Sequence, residues 1–220
     1  MLDFLTPLTC IGCNKLLIDQ EKLLCVLCRH EIRLLAHHRN GDSGMQDRFF
    51  GRLKVKQASA MFRFQKRGIE QRLLHAIKYQ GREDLATYFG DWMGTELKLS
   101  EQFQAVDLVI PVPQHWRKRL IRGYNQVSPF ARALARQLNC PFSSKVVVRR
   151  RHGTSLVGAK RVARGTRVNP FVIAQPELLR DRHVLLVDDL MTTGMTLEQC
   201  GTRIHRSGSA SISLATIAMA

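Results

Sequence analysis

The run Val184-Leu185-Leu186-Val187-Asp188-Asp189-Leu190-Met191-Thr192-Thr193-Gly194-Met195-Thr196 constrains this chain more than any other stretch. Four aliphatic residues with no polar face form a short strand covered on both sides, as in a parallel sheet. Two acids and a Thr/Gly-rich turn follow. Leu197, Cys200 and Ile204 then repeat at helical spacing, so residues 192–196 are expected to open a helix. Ligands of open α/β sheets collect at the carboxyl ends of strands. Backbone N–H groups at such a helix entry attract a phosphate, Gly194 permits φ > 0, and Thr192, Thr193 and Thr196 add hydroxyl donors. Asp188 and Asp189 can each accept a hydrogen bond from one of two vicinal ribose hydroxyls. The pattern suits a ribose 5-phosphate, whereas helix capping by Asp alone would not account for the Thr-Thr-Gly-x-Thr turn.

A second pattern lies near the amino terminus. Cys10-x-x-Cys13 and Cys25-x-x-Cys28 are separated by eleven residues, a spacing at which two knuckles close one tetrahedron. Four thiolates select zinc, and four protein ligands leave no open position for a substrate, so the site is expected to be structural. A redox dithiol usually comes as one pair beside a βαβ unit. Disulfides are not expected, because Met1-Leu2-Asp3-Phe4-Leu5 carries no secretory signal. His30 is read as a neighbouring or surface residue, and Cys140 and Cys200 as small core residues.

The chain has 220 residues, enough for one ordinary domain plus a small metal-stapled module. We expect a module over 1–40, a linker over 41–57 with a hinge at Gly41-Asp42-Ser43-Gly44, and the main domain over 58–220. Strands are expected at 58–64, 106–110, 146–148, 168–173, 184–187 and 212–217, with helices at 68–79, 85–97 and 127–138. Pro111 and Pro113 stop the second strand because neither can donate to a ladder. Strands alternating with helices argue for an α/β fold around a twisted, mainly parallel sheet. No apolar run reaches the ~18 residues of a membrane span, so a cytoplasmic protein is expected.

The formal net charge is +16, which favours polyanionic partners such as nucleic acid or phosphorylated small molecules. Two segments concentrate it. One runs from Arg117 through Arg119 and Arg122 to Gly123-Tyr124-Asn125-Gln126 and follows a strand end, so it projects toward the edge that holds Asp188. The other runs from Arg149, Arg150 and Arg151 through Lys160, Arg161, Arg164 and Arg167, a glycine-punctuated loop expected to be mobile when empty. The candidate contacts to pyrophosphate or DNA are Arg119, Arg122, Tyr124, Asn125, Arg149, Arg150, Arg151 and Arg164. Tyr79, Trp116 and Tyr124 are the aromatic residues placed to stack on bases.

Residues 184–196 resemble the phosphoribosyl diphosphate (PRPP) signature of type I phosphoribosyltransferases. The order of the two Cys pairs, Ile77-Lys78-Tyr79, Ile110-Pro111-Val112-Pro113, Arg122-Gly123-Tyr124-Asn125-Gln126 and then 187–196 is similar to the ComF family of competence proteins. That resemblance implies a small four-cysteine zinc module (Cys10, Cys13, Cys25, Cys28) on a type I phosphoribosyltransferase-like domain. PRPP would sit on Asp188, Asp189, Met191, Thr192, Thr193, Gly194, Met195 and Thr196, with Mg2+ on the diphosphate. It further implies a role in the uptake of transforming single-stranded DNA, a helicase partner and a place at the inner face of the membrane. In the second basic segment Thr154 precedes Ser155-Leu156-Val157 and Arg164 precedes Gly165-Thr166-Arg167, so two amide side chains common in the family are replaced. If the chain is an enzyme, Asp188 and Asp189 are its candidate catalytic residues, in transfer of ribose 5-phosphate from PRPP to a base. No hood that would name the base is recognisable.

Overall fold

The structure is a computed structural model that describes residues 8–35, 37, 44–115, 123–150, 169–208 and 211–220. The chain begins with a turn-rich segment tied by an antiparallel bridge between Thr9 and Leu16, followed by α1 (Val26–Glu31). β1 (Gln57–Arg63), α2 (Ile69–Tyr79), α3 (Glu83–Leu97), the one-turn α4 (Glu101–Gln104), β2 (Leu108–Pro111) and α5 (Val127–Gln137) come next. β3 (Val147–Arg149), β4 (Phe171–Ile173), β5 (His183–Met191), α6 (Met195–Arg206) and β6 (Ser211–Met219) complete the fold.

Among the described residues the main sheet has the order β1-β6-β5-β2, and all three neighbouring pairs are parallel. β5 and β6 are its interior strands, and their near-continuous apolar runs reflect cover on both faces. Leu185 and Val187 point into one layer with Leu73, Ile77, Leu85, Phe89, Phe130 and Leu134 of α2, α3 and α5. Val184 and Leu186 point into the other with Leu197, Cys200 and Ile204 of α6. Both edges are blunted by short bridges, Leu34 to Phe62 beside β1 and Phe142 to Val109 beside β2.

Three findings depart from the sequence-based expectation. β5 runs to Met191 rather than ending at Val187, because β6 continues pairing it up to Met191 opposite Met219. The two acids therefore lie within a strand and not just beyond one. β3 and β4 stand outside the parallel sheet as an antiparallel pair that brackets the second basic segment. Finally, the described part of the segment expected as a linker is packed: Met45, Phe49, Leu53 and Val55 are buried in the α6 layer. The expected hinge positions 41–43 lie outside the described residues.

Candidate functional site

The four cysteines converge. Their Sγ atoms all lie within 4.8 Å of one another, and no other group of three or more His, Cys, Asp or Glu side chains among the described residues is so arranged. Cys13 and Cys25 sulfurs are 3.8 Å apart, about the edge of a tetrahedron with metal–sulfur bonds of ~2.3 Å. Cys10 is fully buried and Cys28 nearly so. Burial raises the Cys10 thiol, but N–H groups of Cys25, Cys13 and Gly12 outweigh it and bring it down to about 7. Cys28, with burial as the main cause, is pushed up. The donor set is that of a closed, structural, thiophilic metal site.

This module rests on the main core. Cys10, Leu24, Cys28 and Ile32 belong to the same layer as Phe62, Leu73 and Ile77, and the Arg29 guanidinium sits 5.1 Å above the Trp92 ring of α3. Gly12 marks the closest approach. A Cβ there would lie 2.8 Å from both Cys28 Sγ and Ile69 Cδ1. Gly12→Ala is therefore expected to destabilise the chain by about 1–3 kcal/mol, lowering the melting temperature by roughly 2–4 °C per kcal/mol. An unchanged melting curve would show that the knuckle does not pack this tightly on α2.

At the other site, β5 carries Asp188 and Asp189 past the end of β2. Pairing on the β2 side stops at Pro111 opposite Val187, with one further bond from the Val112 N–H to the Val187 carbonyl. Beyond that point the β2 side of β5 is left without a strand partner among the described residues. The Asp189 carboxylate meets Lys78 Nζ at 3.2 Å, with both side chains largely shielded from water. Asp188 accepts the Asp189 N–H at 2.9 Å. Burial lowers the Arg149 guanidinium pKa, and the charge of Asp188 opposes that shift. Burial raises the Cys200 thiol, reinforced by Asp188, and burial also brings Cys140 up to about 11. Both cysteines are thiols at neutral pH, in keeping with a packing role.

Three motifs separated in sequence are joined here. Lys78 closes α2, whose last carbonyls are orphaned by helix geometry. The Ile77 carbonyl accepts the Tyr124 hydroxyl at 3.2 Å, and the Lys78 carbonyl accepts the amide of the buried Gln126. Asn125 donates to the Val112 carbonyl at 3.2 Å and accepts the Val127 N–H at 3.2 Å, fastening the end of β2 to the start of α5. Tyr124 and Asn125 thus tie the ends of α2 and β2 to the start of α5. Arg149 is half-buried with its guanidinium 5.4 Å from the Phe171 ring centre. Arg119, Arg122, Arg151, Arg164 and Trp116 lie outside the described residues.

The turn after β5 has the expected form. Gly194 has φ +76°, the left-handed conformation that favours glycine. A Cβ there would also lie 2.9 Å from the Phe49 ring. Met191 is buried, while Thr192, Thr193, Met195 and Thr196 are exposed around the entry of α6. Sequence reasoning missed the segment behind this turn. Arg48 donates to the Thr192 carbonyl at 3.1 Å, and Arg52 donates to the Thr193 carbonyl and pairs with Glu198. The apolar spacing of Met45, Phe49 and Leu53 is the signal that argues against a solvated linker there. Lys78 was noted within a motif, but its pairing with Asp189 had no local signal.

A cleft of about 1170 Å³ is lined by Pro113, Tyr124, Ser128, Arg132, Val148 and Arg149 among others.

Residues 127–220 match the family described as phosphoribosyl transferase domain. Over 144 residues the chain is 28% identical to the DNA utilization protein YhgH of Escherichia coli O157:H7, covering 64% of this chain and 63% of that protein. It is 30% identical over 115 residues to competence protein F of Haemophilus influenzae, covering 51% of this chain and 50% of that one. Among solved structures, glutamine phosphoribosylpyrophosphate amidotransferase from B. subtilis aligns with a TM-score of 0.45 at 15% identity, over 66% of this chain and 30% of that chain. The parallel sheet and the matched domain define a protein of the phosphoribosyltransferase fold, here joined to a four-cysteine module. The chain is similar to the ComF family of competence proteins. The match spans 63% of the length of YhgH.

Proposed function

We propose that the chain handles single-stranded DNA in competence, and that its 183–196 strand and turn bind PRPP or a related phosphorylated ribose. The observation that carries this reading is the pairing of Lys78 with Asp189 just before the Thr-Thr-Gly turn, with Tyr124 and Gln126 holding the Ile77 and Lys78 carbonyls beside it. In this reading Asp188 and Asp189 take the ribose hydroxyls, and residues 191–196 surround the 5′-phosphate. Lys78 pairs with Asp189 and supplies positive charge beside the diphosphate. Two carboxylates are too few to cage a metal, so Mg2+ would arrive on the diphosphate with its water ligands, as such a hard, tightly hydrated cation does. Zinc on Cys10, Cys13, Cys25 and Cys28 would be structural. The functional division is a module over 1–40 and a ligand-binding domain over 58–220, with 41–57 spanning them. No helix among the described residues is long and apolar enough to cross a membrane. A place at the inner face of the membrane would therefore come through partners such as a helicase.

Arg119, Arg122, Arg149, Arg150, Arg151 and Arg164 would supply the contacts to DNA or pyrophosphate phosphates. Mixed-sequence single-stranded DNA should bind with an affinity that falls as salt rises, by about 0.7 in log–log slope per phosphate contact. Arg150→Ala with Arg151→Ala should flatten that slope by about 1.4 without changing zinc content. Arg149 is left intact in this test because it covers Phe171. An affinity independent of salt, or no binding, would remove DNA from the reading.

The cleft beside Tyr124 and Arg149 favours one second reading, transfer of the ribose 5-phosphate to a base seated there. Catalysis would then be positioning and electrostatics: the acids orient the ribose while cationic groups stabilise the departing diphosphate. Pyrophosphate release on addition of a nucleobase separates this reading from the first.

A further inference from the structure

We infer that Arg48 and Arg52 are positioning residues that aim two backbone N–H groups of the 192–194 turn at the bound phosphate. The segment carrying them runs along the outside of α6 from its first turn to its last. Phe49 abuts Gly194, Arg52 pairs with Glu198, Leu53 fills the space beside Gly201, and the Lys54 carbonyl meets His205 Nε2 at 2.8 Å. These partners recur at intervals of three and four residues, so the segment follows one face of the helix. Buried apolar residues anchor it, whereas Arg48 and Arg52 are exposed. Each of the two arginines also donates to a carbonyl of the turn.

A trans peptide unit is planar, with its C=O and N–H pointing in opposite directions. The Thr192 carbonyl is held by Arg48 at 3.1 Å, so the Thr193 N–H is directed away from the segment. The Thr193 carbonyl is held by Arg52 at 3.3–3.4 Å, so the Gly194 N–H is likewise directed away. Successive N–H groups turned to one side, with the left-handed residue at 194, make an anion-binding concavity. Without the two guanidinium groups the peptides can rotate and expose carbonyl oxygens to the phosphate instead. The arginines thus act through backbone geometry and need not touch the ligand.

This inference rests on the phosphate-binding reading of the turn, and PRPP with magnesium is the probe. Calorimetric titration of the full, zinc-loaded chain should show Arg48→Ala and Arg52→Ala each weakening PRPP by about three- to tenfold, the worth of roughly one lost hydrogen bond. Arg48→Gln keeps an N–H donor without the charge and should stay within about twofold of the parent. In 15N-labelled protein the Thr193 amide should move in Arg48→Ala and the Gly194 amide in Arg52→Ala, with resonances of β1 unshifted. Binding of both Ala variants as tight as the parent overturns the inference alone. So does an Arg48→Gln affinity as weak as that of Arg48→Ala, because charge and not orientation would then be responsible. If the parent chain binds neither PRPP nor ribose 5-phosphate, the phosphate-binding reading fails first and this inference with it.

Discussion

Cys10→Ser and Cys28→Ser are each expected to take the chain from one bound zinc to almost none, with a lower melting temperature and a loss of solubility. The four sulfurs are already gathered within one coordination sphere. In such modules the metal's binding free energy, roughly 10–16 kcal/mol in zinc-finger peptides, is itself folding free energy. The consequences spread further than the knuckles. Leu24, Cys28 and Ile32 share a core layer with Leu73 and Ile77, so loosening the module exposes apolar surface of α2 as well. Cys140→Ser lies outside the cluster and should retain the zinc. Mass spectrometry of native, reduced protein together with thermal melts makes the test. A parent chain purified without metal, or serine variants that keep stoichiometric zinc, would remove the cysteine module's role.

The second large effect is expected at the paired acids. Asp188→Asn with Asp189→Asn should reduce PRPP affinity by at least about a hundredfold, since two hydrogen bonds to charged groups are worth roughly 1.5–3 kcal/mol each. The fold should survive. Both side chains are half-buried and belong to neither apolar layer, and the amides preserve their shape. Asp189→Asn also leaves Lys78 without its carboxylate partner, which draws anions to the site and makes the single change milder than the double. DNA binding by the double variant should be equal to the parent or tighter, because negative charge has been removed. Titration with PRPP and magnesium, beside a melting curve, decides it. A double variant that binds PRPP as the parent does would place the ribose elsewhere.

These two sites were legible early because each is compact in the sequence. The cysteine spacing restricts the geometry of a tetrahedral metal site within nineteen residues, Cys10 to Cys28. The 184–196 run carries its strand, turn and helix entry in consecutive residues, and strand and helix periods elsewhere are likewise local properties. The helices at 69–79, 83–97 and 127–137 agree with the expected ones to within about two residues for the same reason, whereas the one-turn α4 carries too few residues to show a period.

What resisted the sequence depends on partners distant along the chain. The length of β5 is decided by how far β6 runs beside it, and the point where the acids lose a partner on the other side by where β2 stops. The segregation of β3 and β4 into a separate antiparallel pair has no local mark, since a short apolar run suits either sheet. Arg48 and Arg52 reach the turn across 144 and 141 residues of sequence, and Lys78 reaches Asp189 of β5 from α2. Hydrophobic periodicity and ligand spacing are written in neighbouring residues, and by themselves they determined an α/β domain with a cysteine module and a Thr-Thr-Gly turn at a helix entry. Which charges face the paired acids, which carbonyls are held and which loop is packed follow only from the closing of the two apolar layers on the sheet, and these the tertiary structure decided.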